Sequence, residues 1–274
     1  MKISAFSLTL TLLALGLTTS AYSHAAAPGW NALSQQVDLL YRQGQYTRAT
    51  EVAKQALQVA EQALGPDHPD VAASLNSLGL LYSAQERYAL AEPLYQRALA
   101  IDEKAHGPDH PDVAASLNNL AQLYHAQGRY AQAEPLHKRA LAILEKVYGL
   151  DHPNVVISLN NLALLYHAQQ RYAQAEPLYK RVLAISQKAL GAEHPNVALG
   201  LNNLAGLYRD QGKYPNAEPL FRRALAISEK AFGPDHPNVA TGLENLAQLY
   251  RDIGHAGKAV PLEKRAAEIR ALRR

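Results

Sequence analysis

The sequence predicts an all-α protein built as a right-handed α-solenoid of about six stacked helix-turn-helix repeats. A pentapeptide of the form Gly-x-x-His-Pro recurs without a change of phase, and its copies are 42 residues apart, beginning at Gly65, Gly107, Gly149, Gly191 and Gly233. Between these pentapeptides, apolar residues fall at helical spacing in two stretches separated by a short polar turn. A period of about 20–50 residues is typical of stacked units that pack only against their neighbours.

The first 25 residues, 1–25, predict a secretory signal peptide. Lys2 precedes an apolar tract from Ile3 to Leu17, and small residues around His24 lead to a predicted cleavage after Ala25. A tract of about 15 residues is shorter than the roughly 20 that a stable membrane-spanning helix needs. We therefore expect an exported protein, periplasmic or secreted, with no stable membrane span after cleavage. A retained signal anchor and a buried N-terminal helix are the alternatives.

The rest of the chain divides into a cap, a repeat array and a second cap. Residues 26–64 are interpreted as a degenerate N-terminal capping repeat, because Gly44-Gln45-Tyr46 precedes Gly65 at the distance seen in later repeats. Repeats of 42 residues then occupy 65–253. Residues 254–274 are expected to form the second helix of the last repeat and a basic C-terminal cap, since solenoids end in atypical polar units.

Each repeat is expected to contain two helices. In the unit that follows Gly107, the apolar positions of the two helices are Val113, Leu117, Leu120 and Tyr124, then Ala133, Leu136, Ala140 and Ile143. Pro111 suits a first helical position, and Gly149 suits the residue after a helix. Pro135 and its equivalents fall about one turn into each second helix, where we expect an irregularity and not a break.

The chain has 15 Tyr but only 3 Phe. Nine of these tyrosines occupy two repeated positions, one at the end of the first helix and one at the start of the second: Tyr82, Tyr124, Tyr166, Tyr208 and Tyr250, then Tyr88, Tyr130, Tyr172 and Tyr214. Tyr has an apolar ring and a polar tip. We therefore expect core spacers whose hydroxyls face water, and not a cofactor site.

Composition and motifs argue against several classes of function. A net charge of +3, from 27 Lys and Arg against 24 Asp and Glu, is too small and too mixed to favour nucleic acid. The absence of Cys removes disulfides, thiolate metal sites and cysteine nucleophiles. Phosphate loops, nucleophile elbows and HExxH motifs are also absent from a chain that the repeats almost fill. We expect no catalytic residues and no cofactor.

A histidine in every pentapeptide invites comparison with a metal site; these are His68, His110, His152, His194 and His236. Equivalent residues of neighbouring repeats should be separated by at least one helix spacing, about 8–10 Å, whereas zinc binds its ligands at about 2 Å. These five residues therefore cannot share an ion with one another. We predict that they order the start of the next helix and that the chain holds no metal.

The segments 107–121 and 117–143 resemble the tetratricopeptide repeat in the 42-residue form of kinesin light chains. Small and large residues fall at the positions where that family packs its hairpins: Leu120, Ala121, Tyr124, Gly128, Tyr130, Ala133 and Ala140. The resemblance covers about residues 30–270 and implies a concave groove lined by first helices. It also implies that Asn residues of these helices hold the backbone or carboxylate of a bound peptide. No coiled-coil heptads precede the repeats, so the role in a motor is not transferred.

The face of each first helix opposite the core should line the groove, because residues advance about 100° per position around a helix. The predicted groove residues are Asn118, Asn119, Gln122, His125, Ile157, Asn160, Asn161, Leu164, Leu199, Asn202, Asn203, Arg209, Asn245 and Arg251. Asn is a poor residue in the middle of a helix, so its repetition needs a reason. One reason is that an amide both donates and accepts, as an extended peptide backbone requires. The other is that one Asn of each pair bonds the adjacent hairpin and maintains register.

The predicted function is a non-catalytic scaffold that binds an extended segment of a partner protein in this groove, as an adaptor or assembly factor in a bacterial cell envelope. Ile157, Leu164 and Leu199 suggest a ligand with large apolar side chains, and Arg209 and Arg251 suggest acidic residues or a carboxylate beside them. The chain itself is expected to be monomeric or weakly self-associating. The main alternative is a self-associating structural solenoid without a peptide ligand, and the remote alternative is a hydrolase or metal enzyme.

Overall fold

A computed structural model describes residues 29–272, and this part of the chain consists of α-helices joined by short turns. The helices are α1 (Trp30–Arg42), α2 (Tyr46–Leu64), α3 (Pro69–Ala84), α4 (Tyr88–His106), α5 (Pro111–Ala126), α6 (Tyr130–Tyr148), α7 (Val156–Ala168), α8 (Tyr172–Leu190), α9 (Pro195–Asp210), α10 (Tyr214–Phe232), α11 (Pro237–Asp252) and α12 (Ala256–Ala271). A 3-10 turn, Pro153–Val155, precedes α7. The predicted signal peptide, 1–25, lies outside the described residues.

The helices pair into six hairpins, each with an odd-numbered first helix and an even-numbered second helix. Each helix packs against the helices before and after it, and the first helices of successive hairpins also touch, as α3 touches α5 and α5 touches α7. Contacts are therefore confined to neighbouring repeats. The predicted all-α solenoid of about six repeats is confirmed.

The repeated histidines start the first helices. In each of the five pentapeptides the His side chain occupies the N-cap position, and its Nδ1 accepts a hydrogen bond from the backbone N–H two residues later, at 3.1–3.2 Å. The proline that follows needs no partner for a backbone N–H, since it has none. The histidine thus orders the start of the helix, as predicted.

The second helices run unbroken through their prolines. Pro93, Pro135, Pro177, Pro219 and Pro261 all lie inside continuous α-helices. Each second helix from α2 to α10 ends at a pentapeptide glycine with positive φ, such as Gly149 at 93°. This conformation is strained for a residue with a Cβ, which explains why glycine recurs there.

The core lies between the first and second helices of the stack. Alanines without exposed surface occupy the close contacts, among them Ala91, Ala133, Ala175 and Ala217. One second-helix position is filled by a large buried ring in four successive repeats, namely Tyr95, His137, Tyr179 and Phe221. Small residues let the helices approach, and the rings fill the space between repeats.

The tyrosines that end the first helices lock each repeat to the preceding one. The Tyr124 hydroxyl lies 3.0 Å from Glu92 Oε1, and Arg129 bonds the same carboxylate at 2.7 Å while stacking on the Tyr124 ring at 4.1 Å. Tyr166, Tyr208 and Tyr250 bond the equivalent glutamates Glu134, Glu176 and Glu218 at 2.8–3.2 Å. The expectation that these hydroxyls only face water was therefore wrong. Each of these hydroxyls forms a hydrogen bond that Phe, which has no hydroxyl, could not form.

The last repeat ends in ion pairs where inner repeats have uncharged contacts. Glu244, at the position of Asn118, pairs with Arg270 at 3.0 Å. Glu263, at the position of His137 and Tyr179, pairs with Arg251 at 2.6 Å. Charges at these two positions suit a face that remains in water, as expected of a terminal cap.

Candidate functional site

The first helices of the hairpins carry the residues that are predicted to line the groove. Four of these residues, Asn119, Gln122, Asn203 and Asn245, are partly buried. No hydrogen bond of the Asn119 or Asn245 side chain is found within residues 29–272. These amides are free to meet a ligand.

The first Asn of each pair points instead toward the next repeat. Asn76 Nδ2 donates to Ser116 Oγ at 2.8 Å, and Asn118 Nδ2 donates to Ser158 Oγ at 2.6 Å. Asn118 is also 2.9 Å from His137 through its Oδ1 and is buried. The prediction that Asn118 lines the groove was wrong, because its amide is consumed by contacts between repeats.

This Asn–Ser ladder ends where glycine replaces serine. Gly200 and Gly242 occupy the positions of Ser116 and Ser158. Asn160 therefore lacks a serine partner, and its Oδ1 accepts from Asn203 Nδ2 at 2.7 Å. At the next step Asn202 Oδ1 is buried and has no partner in the described residues.

A second unpaired amide lies nearby. The Asn161 side chain is buried, and its Nδ2 has no partner among residues 29–272. An unsatisfied buried polar group costs about 1–3 kcal/mol. Asn76 Oδ1 in α3 is likewise buried without a partner among these residues, so unpaired amide groups occur in α3, α7 and α9.

The predicted apolar residues lie in the same region. Ile157 and Leu199 are partly exposed, and Leu164 packs partly against the main core. Ala115 occupies the position of Ile157 and Leu199 in the preceding repeat and offers much less apolar surface. Ile157 and Leu199 therefore lie on the same helices as two of the unpaired amides, those of Asn161 and Asn202.

His125, another of the predicted groove residues, is partly buried. Its ring lies 5.5 Å from the Tyr130 ring, and burial lowers the pKa of the imidazole below its usual value. The neutral ring is thereby favoured. His125 contributes shape more than charge.

The two predicted arginines are already paired with acids. Arg209 is buried, bonds Asp210 at 2.7 Å and lies 3.7 Å from Asp252. Arg251 is exposed and bonds Glu263. The expectation of open positive charge toward the C-terminal end was therefore wrong for Arg209 and requires an exchange of partners for Arg251.

Asp210 is a groove-edge residue that sequence reasoning missed. Its carboxylate is 2.8 Å from His167 Nε2 in the preceding repeat and also accepts from Arg209. Burial raises the pKa of Asp210, but the hydrogen bond with His167 and the positive charge of Arg209 lower it by more. The pKa of Asp210 therefore lies below its usual value. The available signal was that Asp210 and Asp252 replace Ala126 and Ala168 at one repeat position.

Two buried titratable residues between repeats were also missed. Burial lowers the pKa of His137 to about 3, and the neighbouring His125 contributes to the shift. Burial raises the pKa of Asp102 to about 7, although Ser116 Oγ donates to its carboxylate at 2.6 Å. The other inner repeats have uncharged side chains at these two positions, and only the last repeat has charged ones, Glu263 and Arg270; this contrast is the signal that could have identified them.

Within residues 29–272 the helices pair into successive hairpins that pack on their neighbours, which defines an α-solenoid. Matches to the tetratricopeptide repeat cover residues 31–104, 84–146, 117–188, 154–205 and 196–271. The chain therefore belongs to the tetratricopeptide repeat family. Members of this family are typically scaffolds for protein interactions and are generally non-catalytic.

Solved structures agree with this assignment. A putative kinesin light chain from Podosopora anserina, with nearly identical repeats, is 29% identical over 76% of this chain and 98% of that chain, with a TM-score of 0.63. BtubC (BKLC) from P. vanneervenii is 26% identical over 88% and 92%, with a TM-score of 0.67. PilW, a type IV pilus biogenesis factor, is 20% identical over 88% and 92% and shares the fold at a TM-score of 0.62. No curated protein matches the chain.

Within residues 29–272, no helix is both long enough and apolar enough to span a bilayer.

Proposed function

We propose that this protein is a non-catalytic scaffold whose groove binds an extended segment of a partner protein, with the main contacts on α7 and α9. The observation that carries the proposal is the coincidence of two kinds of unsatisfied surface. Ile157 and Leu199 leave apolar area partly exposed, and Asn161 and Asn202 leave buried amide groups without partners among the described residues. Apolar side chains of the partner would cover the apolar area, and its backbone N–H and C=O groups would bond the two amides once these side chains turn outward from their buried positions.

The contacts of the two arginines and the apolar residues support a more specific proposal for the ligand. Its anchor is one or two large apolar side chains, which gain about 25 cal/mol for each Å² that binding removes from water. An acidic residue or terminal carboxylate fits best near Arg251, where it would compete with Glu263 for an exposed guanidinium. Arg209 is not offered, because its charge is already balanced inside the protein.

Peptides that bind the groove can be selected before the natural partner has been identified. Peptides selected from a random display library on the full chain would be titrated into the protein by isothermal titration calorimetry. We expect Leu199→Asp to weaken binding at least about tenfold, because it places a charge in the apolar part of the groove. Asn161→Ala should weaken it by a smaller factor, about that of one hydrogen bond.

Leu190→Asp is the matched control, because Leu190 is an exposed leucine at the end of a second helix. It should leave the affinity unchanged. Equal affinities for wild type, Leu199→Asp and Leu190→Asp would reject the groove.

The alternative, a self-associating solenoid, is disfavoured by the C-terminal end of the stack. Stacking another repeat there would cover the Glu244–Arg270 and Arg251–Glu263 pairs, and desolvating ion pairs is unfavourable. Light scattering over a range of protein concentrations separates the two functions. A scaffold stays monomeric without its partner, whereas a structural solenoid grows with concentration.

We also propose that the chain is exported through its first 25 residues. The predicted signal, Lys2 followed by the apolar tract, supports this. N-terminal sequencing of protein recovered outside the cytoplasm should begin at Ala26, and recovery of the intact chain only in the cytoplasm would contradict export.

A further inference from the structure

Three potential metal ligands meet where α4 gives way to α5. His106 is the last residue of α4, His110 caps α5, and Asp112 lies in the first turn of α5. One donor atom from each side chain lies within 4.8 Å of the other two. Asp112 Oδ2 is 3.3 Å from His110 Nδ1 and 3.6 Å from His106 Nε2. All three side chains are accessible, with 26%, 28% and 48% of the His106, His110 and Asp112 surfaces exposed.

We propose that these three residues bind a divalent transition-metal ion of the zinc type. Two imidazoles and one carboxylate are a donor set that suits Zn²⁺. Bonds of about 2.0–2.1 Å in tetrahedral geometry separate neighbouring ligand atoms by about 3.3 Å. The two distances at Asp112 are close to this value, and the stacked imidazoles would have to rotate out of their 23° interplanar arrangement so that both lone pairs point at the ion. The fourth position remains open to water or to a side chain of a partner.

Ring stacking alone does not explain a histidine at position 106. The His106 and His110 rings are 4.4 Å apart, but Phe232 stacks on His236 at 4.5 Å and Tyr148 on His152 at 5.0 Å. An apolar or phenolic ring therefore serves the stacking role equally well. Equivalent positions of the other repeats hold no second histidine, and three of them also have Asn where this repeat has Asp112. Within residues 29–272 this is the one such group of three.

Metal binding changes how α5 begins. His110 Nδ1 accepts the Asp112 backbone N–H at 3.2 Å, and coordination through Nδ1 would take that lone pair. The ion would then hold His110 to the Asp112 side chain in place of that hydrogen bond. The spacing of the five capping histidines does not reveal this arrangement, because the second imidazole comes from the end of the preceding helix.

The chain contains its own templates for the test. His106→Phe and Asp112→Asn reproduce the residues already present at Phe232 and Asn238, where the helix start is capped in the same way. Both variants should therefore fold, which circular dichroism would verify. The double variant Phe232→His/Asn238→Asp places the same three side-chain types around His236 and should create a second site.

The full chain, without a polyhistidine tag, would be titrated with ZnCl₂ by isothermal titration calorimetry. We expect one Zn²⁺ per wild-type chain, an affinity about 10–100-fold weaker in His106→Phe and in Asp112→Asn, and two Zn²⁺ per chain in the double variant. Electron paramagnetic resonance of bound Cu²⁺ should show coupling to two imidazole nitrogens in wild type and to fewer in His106→Phe. No zinc binding by wild type, equal affinity in His106→Phe, or a stoichiometry of one in the double variant would overturn the proposal.

Discussion

The two asparagines of one pair, Asn118 and Asn119, should respond in opposite ways to the same substitution. Asn118→Ala removes contacts at 2.6 Å to Ser158 and 2.9 Å to His137, and both of those partners have no exposed surface. Two buried groups without partners cost about 1–3 kcal/mol each, and the better helix propensity of Ala returns about 0.6 kcal/mol. We therefore expect the free energy of unfolding to fall by about 1.4–5.4 kcal/mol.

Asn119→Ala is the matched control, since its side chain is partly buried and makes no hydrogen bond within the described residues. Its unfolding free energy should stay constant or rise by up to about 0.6 kcal/mol. Denaturant unfolding followed by circular dichroism measures both variants. Because long repeat arrays do not always unfold in one step, hydrogen exchange of the α5 and α7 amides provides a local measure. Equal destabilisation by the two variants, or a loss below about 0.5 kcal/mol for Asn118→Ala, would refute the assigned roles.

Three other predictions concern the contacts between repeats. Tyr166→Phe should lower the unfolding free energy by about 1 kcal/mol, because it removes the hydrogen bond to Glu134. Tyr82→Phe should leave the unfolding free energy unchanged, because no hydrogen bond of the Tyr82 hydroxyl is found in the described part of the chain. Denaturation curves of the two variants would distinguish these outcomes. His152→Ala should lower the unfolding free energy by about 0.5–2 kcal/mol, because it removes the side chain that caps the helix. His152→Asn should lower it much less, because Asn can also cap a helix. Equal thermal midpoints for the two variants would contradict the capping role. Between about pH 4 and pH 6.5, His137 is protonated in the unfolded chain but not in the folded protein. Asp102 is protonated in the folded protein but not in the unfolded chain. The two residues therefore change the stability in opposite directions as the pH changes. Relative to wild type, the unfolding free energy of His137→Tyr should fall as the pH rises across this range, and that of Asp102→Ser should fall as the pH falls. Each change should be at most about 1.4 kcal/mol per pH unit. Parallel pH profiles for the two variants would contradict the assignment.

The sequence predicted the architecture because the repeat supplies the same information five times. Each pentapeptide combines a glycine that ends a helix, a histidine that caps the next and a proline that begins it. Local signals of this kind do not depend on the tertiary structure. The number of hairpins therefore followed from spacing alone, whereas the 3-10 turn Pro153–Val155 that delays the start of α7 did not.

The site could be predicted only as a face of the helices. Asn118 and Asn119 are about 100° apart on one helix, and sequence periodicity cannot show which of them meets the next hairpin. That choice depends on how successive repeats are rotated and on the residue opposite, serine in one repeat and glycine in another. The pairing of Arg209 with Asp210 and Asp252 has the same origin, since it joins residues from two repeats.

A crystal structure of the full chain with a library-selected peptide would test the central claim most directly. We predict an extended peptide on the inner surface, with backbone groups within hydrogen-bonding distance of Asn161 Nδ2 and Asn202 Oδ1. Its apolar side chains should rest on Ile157 and Leu199. A peptide bound to the outer helices, or one that leaves both amides unpaired, would contradict the claim.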